Sequence, residues 1–289
     1  MDEATQGWLK HALGVGVQEV RHLGGQHGVD HYRLVLSDGR LAFAKVAGRA
    51  SGPGPAGFAS EAAGLRWLAS PAAVPVPAVL AADDDSLLVI EWVSEGGSSS
   101  QTAARFGADL ARLHCAGSDH FGAPWPGVIA GLPLPNDEAD EWPDWYALYR
   151  LVPYARRARD SGALTSADVG LVESVAASIA DLAGPREPPS RIHGDCWSGN
   201  VLWSGDRGWL IDPAAHGGHR ETDLAMLSLF GAPHLDAILA AYQEVAPLAE
   251  DWRDRVPLHQ LHPLLVHVCL FGAAYREAAL RAARAALGA

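Results

Sequence analysis

The sequence predicts an α+β protein of two lobes, a small antiparallel β-rich lobe over residues 1–92 and a larger helical lobe over 93–289. Three observations predict it. The first ninety residues read mainly as short β-like runs divided by turn residues. From about Thr102 the apolar residues recur at helical spacing, and a single β-rich island, residues 191–212, interrupts the helices.

Residues 17–23 and 31–36 are the first two strand candidates, separated by Gly24-Gly25-Gln26-His27-Gly28. Ser37-Asp38-Gly39-Arg40 predicts a hairpin turn, because Asp-Gly tolerates the positive φ that a tight turn needs. Residues 41–46 continue as a third strand. Residues 48–57, rich in Gly, Pro and Ser, predict a mobile loop. A helix is expected over 58–69, with Leu65 and Leu68 opposite its charges, and Pro71, Pro75 and Pro77 follow it. Residues 78–82 and 87–93 predict a second hairpin around the turn 83–86. Helices are then expected over 102–115, 142–161, 166–182, 222–229, 234–242 and 258–287. Within the island, residues 201–203 and 209–211 flank the turn Ser204-Gly205-Asp206-Arg207-Gly208. No internal repeat is visible.

The 289 residues suffice for two lobes, each with its own core, and 48% hydrophobic with 19% charged content is that of a globular chain. No membrane association is expected, since no run of 18 apolar residues lacks a charge or a helix breaker. The start, Met1-Asp2-Glu3-Ala4, has no basic segment followed by an apolar one, so no signal peptide is expected. Cys115, Cys196 and Cys269 lie far apart and form no Cys-x-x-Cys, which argues against a disulfide framework or zinc site and fits a cytoplasmic protein. A formal charge of −12 argues against non-specific nucleic-acid binding, which needs a basic face.

The strongest local pattern is His193-Gly194-Asp195-Cys196-Trp197-Ser198-Gly199-Asn200, followed by Leu210-Ile211-Asp212. Kinases place an aspartate five residues before an asparagine, with a metal-binding aspartate beyond a short hairpin. Phosphoryl transfer asks the protein for position and countercharge. Asp195 suits the base that accepts the proton of the attacking hydroxyl. Asn200 and Asp212 supply oxygen ligands of the kind Mg2+ prefers. Turn capping by Asp195 and Asn200 is the plainer alternative for the loop taken alone.

Upstream, Leu41-Ala42-Phe43-Ala44-Lys45 resembles the strand lysine that contacts the phosphates of ATP, and Glu61, sixteen residues on in the next helix, is its expected partner. Together these features predict the protein-kinase-like two-lobe fold. They also answer a problem of charge, since an acidic chain that binds ATP must bring local cations. Gly24, Gly25 and Gly28 fall where a phosphate-covering loop belongs, although the spacing is not Gly-x-Gly-x-x-Gly. Glu91-Trp92-Val93 closes the last strand before the helical lobe, and its backbone is the expected partner of adenine. Pro213-Ala214 after Asp212, and only ten residues from there to Asp223, leave no room for a long activation segment and favour a small acceptor.

The chain is similar to the fructosamine kinase (ketosamine-3-kinase) family over nearly its whole length. Trp197-Ser198-Gly199-Asn200 resembles that family's ending of the loop shared with aminoglycoside and choline kinase relatives. Phe58-Ala59-Ser60-Glu61-Ala62-Ala63-Gly64-Leu65 resembles its helix around the lysine-pairing glutamate. Leu113-His114, Phe121-Gly122, Asn136, Trp142 and Trp145, and the stretch 211–226 fall where the family has comparable residues. The resemblance implies phosphotransfer from ATP to a sugar hydroxyl of a free or protein-bound ketosamine, destabilising the sugar–amine adduct. Other small-molecule kinases of this fold, and a non-catalytic pseudokinase, are the competing readings.

On this reading His193 and Trp197 belong to the acceptor site. Trp197, two residues past the base, offers a flat surface to sugar C–H groups, with core packing as its rival role. Cys196 stands where the family commonly has leucine and reads as a small buried hydrophobe. Asp223 is expected to brace the loop or cap its helix. His259-x-x-His262 lacks an evident third ligand for a metal. The family's cysteine in the Gly-rich loop is replaced by Gln26 and His27, so a monomer or weak dimer without a redox switch is expected.

Overall fold

The computed structural model describes residues 3–26, 28–48, 57–83 and 86–288. Most of the predicted loop 48–57, the middle of the turn 83–86 and His27 lie outside the described residues.

Strands β1 (Val17–Gln26), β2 (Val29–Leu36), β3 (Leu41–Ala47), β4 (Val79–Asp83) and β5 (Leu87–Glu91) form one antiparallel sheet in the order β1-β2-β3-β5-β4. Side chains alternate along a strand, so β3 and β5 serve two covers. Ala42, Ala44, Leu87 and Val89 pack with Leu9 of helix α1 (Glu3–Leu13), while Phe43, Leu88 and Ile90 pack with Phe58, Ala62 and Leu65 of α2 (Phe58–Ala69). Helix α1 is absent from the sequence prediction. Gly7 weakens its helical signal, and Leu9 is fully buried only because the sheet is there to cover it. Strand β1 also outruns its prediction: Gly24 and Gly25 lie inside it, at a bulge between His22 and Gly24.

Beyond residue 99 the chain is mostly helical. Helix α3 (Ser100–Cys115) begins at a capping box, in which Ser99 and Thr102 each satisfy the other's backbone N–H. Strands β6 (Gly127–Ile129) and β7 (Leu132–Leu134) make a small hairpin, then come α4 (Trp142–Tyr146), α5 (Val152–Asp160), α6 (Ser166–Ala177) and α7 (Ile179–Leu182). Strand β8 (Ser190–Ile192) leads to the hairpin β9 (Val201–Ser204)–β10 (Arg207–Leu210), and β11 (His216–Gly218) returns to pair with β8. Helices α8 (Glu221–Leu229), α9 (Leu235–Val245), α10 (Trp252–Phe271) and α11 (Arg276–Ala286) complete the order.

Two cores result. Phe106, Leu110, Val201, Leu210, Leu224, Ile238 and Tyr242 unite α3, α8 and α9 with the β9–β10 hairpin. Trp145, Tyr154, Val172, Leu261, Leu265 and Ala279 unite α4–α6 with α10 and α11. The predicted helix 142–161 is broken by a π-helical turn at Ala147–Leu151. The predicted helix 258–287 starts earlier, at Trp252, and is cut where Gly272 takes a φ of +69°. This stretch is apolar enough by length and composition to cross a bilayer, yet half of it is buried in the protein, and it supplies much of the second core. The pairs β6–β7 and β8–β11 were not predicted, because three-residue strands carry no periodic signal.

Candidate active site

Lys45 projects from β3 and Glu61 from α2, and they meet at 2.9 and 2.8 Å from Nζ to the two carboxylate oxygens. The same Nζ donates to Oδ1 of Asp212 at 2.8 Å, joining residues 167 positions apart. Burial works to lower the Lys45 ammonium, but the carboxylates of Glu61 and Asp212 outweigh it and hold it above its ordinary value. Burial raises the Glu61 carboxyl above the usual carboxylate range, with Lys45 pulling the other way. Asp212 follows β10 in a left-handed conformation, φ +53°, which a non-glycine residue holds at a cost.

The loop between β8 and β9 carries Asp195 and Asn200. Asn200 Nδ2 donates to the Asp195 carbonyl at 2.9 Å and to its Oδ2 at 3.0 Å, and Ile211 N–H donates to the Asn200 carbonyl at 3.1 Å. The β9–β10 hairpin thus folds Asp212 back beside the loop. Asp195 is pushed up to about 7, first by burial, against the Asn200 hydrogen bond and with help from Asp212 and Asp223. With Nδ2 turned to Asp195, Asn200 has Oδ1 to offer, and Asp212 has a carboxylate 42% exposed. An all-oxygen pair of this kind fits Mg2+.

Asp223, at the start of α8, is fully buried and accepts the N–H groups of His193 (2.7 Å) and Gly194 (2.9 Å). His114 Nε2 lies 3.1 Å from the same carboxylate, and its Nδ1 lies 2.8 Å from the Tyr242 hydroxyl. Burial alone would raise Asp223, but His114 and His193 hold it below its ordinary value. Asp223 therefore braces the loop, the first of its two expected roles.

His193 requires a correction. It is fully buried, Nε2 donates to the Ile211 carbonyl at 2.8 Å, and Nδ1 accepts the Asp195 N–H at 3.3 Å. Both ring nitrogens satisfy backbone groups that burial would otherwise leave unpaired, so His193 does not face an acceptor. Cys196 is also fully buried, and burial followed by the charges of Asp223 and Asp195 pushes its thiol well up. It behaves as a small hydrophobe with no tendency to ionise.

Trp197 is 38% exposed. Its ring lies over Gly199, where an added Cβ would come within 2.2 Å of it, so the ring keeps this seat only over glycine. From Trp197 a chain of rings crosses the surface. Phe230 is 6.1 Å away, then His267 at 5.1 Å from Phe230, with Phe271 at 5.5 Å and Tyr275 at 4.8 Å from His267. Phe230 is 38% and Phe271 50% exposed. His267 Nδ1 donates to the Pro263 carbonyl at 2.7 Å, which leaves Nε2 with its lone pair among the rings, and burial keeps this imidazole below its ordinary pKa. Of these residues the sequence pointed only to Trp197. The others lie 33 or more positions further on, beside no motif.

Gly24 and Gly25 sit near the tip of the β1–β2 hairpin, with Gly28 in its turn. At Gly25 a Cβ would fall 2.6 Å from the Val29 carbonyl, so the hairpin closes only over glycine. At the connector, Glu91 N–H donates to the Ala78 carbonyl and Trp92 N–H to the Leu41 carbonyl. That narrows the predicted adenine contact to Val93 and the connector's carbonyls. The Trp92 ring lies 6.4 Å from Phe43 and under the Arg33 guanidinium.

His259 does not act with His262. Its neighbours are Glu221 and His219, and one ligand atom from each of the three lies within 4.8 Å of the others. Arg255, however, holds Glu221 with two hydrogen bonds of 2.9 and 2.6 Å, and His219 Nδ1 accepts the Glu221 N–H, which puts the proton on Nε2. The group already has its charge balance and reads as an ion pair packed on imidazoles.

A family model described as fructosamine kinase matches residues 1–288. The chain is similar to probable ketoamine kinase YniA of Escherichia coli K12, 33% identical over 280 residues that cover 94% of each chain. A solved structure from Thermobifida fusca YX-ER1, assigned as a fructosamine-3-kinase, superposes with a TM-score of 0.95 at 51% identity over the full length of both chains. Aminoglycoside phosphotransferase APH(4)-Ia, solved with AMP-PNP and hygromycin B, shares the fold, with a TM-score of 0.66 at 17% identity over the full length of both.

Proposed function

The chain belongs to the fructosamine kinase family, and from that premise we propose how its residues move a phosphoryl group from ATP to a sugar hydroxyl of a ketosamine. Residues 1–92 form the nucleotide lobe and 93–289 the catalytic and acceptor lobe. Lys45, held by Glu61, meets the α- and β-phosphates beneath the hairpin tip of Gly24, Gly25 and Gly28. Glu91, Trp92 and Val93 border the adenine. Asn200 and Asp212 would hold Mg2+, which when bound would supply countercharge to the phosphate oxygens.

Asp195 takes the proton of the attacking hydroxyl as that oxygen bonds to the γ-phosphorus and the bond to ADP breaks. Asn200 keeps the carboxylate aimed while Asp223 holds the loop still. Trp197 gives sugar C–H groups a flat surface, and the rings beyond it lie where the amine end of the acceptor would run. A secondary ammonium is attracted to aromatic faces. Phosphorylation of the sugar then loosens its bond to the amine.

One observation carries this reading: Lys45, Glu61 and Asp212 come together in the same place as Asp195 and Asn200. The test is ADP release measured across fructosamines, ribulosamines, aminoglycosides and choline. A ketosamine should be the efficient acceptor. Turnover of an aminoglycoside or choline with no response to any ketosamine would overturn the acceptor class.

A further inference from the structure

Helix α2 must be held in place if Glu61 is to hold Lys45, and three further contacts add to its packing on the sheet. The Lys45–Glu61 pair fixes one point. At Gly64 the helix lies flush against the segment after Asp212, where an added Cβ would come within 3.1 Å of Ala215 and 3.4 Å of Pro213. The third contact, at the C-terminal end of α2, is made by Arg191.

Arg191 is the middle residue of β8, the strand that runs directly into His193-Gly194-Asp195. Its guanidinium lies over the Trp67 ring, 4.3 Å from the ring centre. Nη1 donates to the Trp67 carbonyl and to the Ser70 hydroxyl at 2.6 Å, while Nε donates to the Gly117 carbonyl at 3.3 Å. Ser70 N–H and Oγ also turn back to the Trp67 carbonyl, so a helix end whose carbonyls would be unsatisfied is closed by the arginine and its own cap. A cation there also suits the negative end of the helix dipole. On its far edge Trp67 meets Trp125 at 5.7 Å.

We propose that Arg191 is a positioning residue, which ties the helix carrying Glu61 to the strand carrying Asp195 and so sets the two halves of the site in register. The planar guanidinium does what lysine or a neutral residue cannot, since it stacks on an indole and donates to three acceptors at once. Arg191 touches neither Lys45 nor the base. It acts through α2 on Glu61, and the consequence falls on nucleotide binding. The proposal rests on the nucleotide role of Lys45.

The test compares Arg191→Leu and Arg191→Lys, each alone and with Glu61→Gln, by KM for Mg-ATP, KM for a ribulosamine and melting temperature. For Arg191→Leu we expect KM for ATP to rise about five- to tenfold, the size of effect a slightly misplaced contact produces. KM for the ribulosamine should hold, and in the Glu61→Gln background the rise should vanish, because residues acting through one another are not additive. Arg191→Lys should fall between, and it decides the matter by the same criteria if the leucine variant does not fold. An unchanged KM for ATP well below the melting temperature, or an equal rise in both backgrounds, overturns the proposal. Lys45→Met separates the two levels. If it leaves KM for ATP unchanged, the nucleotide reading fails and the proposal with it; if it raises KM while the Arg191 variants do not, the proposal alone fails.

Discussion

The proposed nucleotide end of the site keeps its lysine and the glutamate that holds it largely out of water, whereas the proposed acceptor end leaves its rings in contact with it. At the first end Lys45 is 9% exposed and held by two carboxylates. At the second, Trp197, Phe230 and Phe271 are each more than a third exposed and lack formal charge. Phosphates are the same in every reaction of this kind, so buried, preorganised countercharge serves them, and its loss is costly. Acceptors differ in carrier and shape, and an open aromatic surface tolerates that variety. The contrast predicts large effects from changing one atom at the charged end and moderate, substrate-selective ones from removing a ring.

Asp195→Asn is the severest break. Turnover should fall on the order of 10²–10⁴-fold while Mg-ATP still binds, since the change removes a general base and keeps the shape. Single-turnover kinetics with separate nucleotide titration check it, and near-normal turnover would end the assignment of Asp195 as base. Trp197→Leu should raise KM for a ribulosamine more than about tenfold, spare KM for ATP and shift the melting temperature little, because an exposed ring contributes little to the core. A drop in stability without a substrate-selective effect would return Trp197 to a packing role.

Acidity sharpens the same contrast. A base whose pKa is raised to about 7 works above that value and is lost as pH falls through it. The kcat/KM for the acceptor should therefore hold above pH 7 and decline about tenfold per unit below about 6. A profile flat down to pH 5 would show that Asp195 is not the group that titrates. The smallest effect expected is none at all: with Cys196 buried, activity should be the same with and without reductant. Any reversible change on reduction would point to Cys115 or Cys269, the first exposed and the second partly so.

The two ends also differ in how far the sequence revealed them. The charged end is made of polar residues in short, spaced patterns, and phosphoryl transfer restricts both type and spacing. Lys45, Glu61, Asp195, Asn200 and Asp212 each stand out along the chain, and folding brings them together. The aromatic end has no such restriction, because a ring may come from any element that reaches the surface. Phe230 just past α8, His267 and Phe271 on α10 and Tyr275 in the turn after it stand in no motif that would mark them. His193 erred in the opposite direction: its place in the motif suggested an acceptor contact, and its buried bonds to Ile211 and Asp195 show a structural one.

By itself the sequence determined the strands and helices with strong periodicity, such as β3, α2 and α3, the order of the two lobes, and the polar constellation that names the chemistry. These depend on local pattern and on residue types few reactions accept. Tertiary structure alone decided the rest. Helix α1 exists because a sheet face was open to receive Leu9. The pair β8–β11 exists because the chain returns to clamp the loop of Asp195. Arg191 looked like one more charge until folding set it over Trp67, and His267 became an acceptor nitrogen among rings only once α10 was packed. Burial and partnership are properties of the folded chain, and no spacing along it records them.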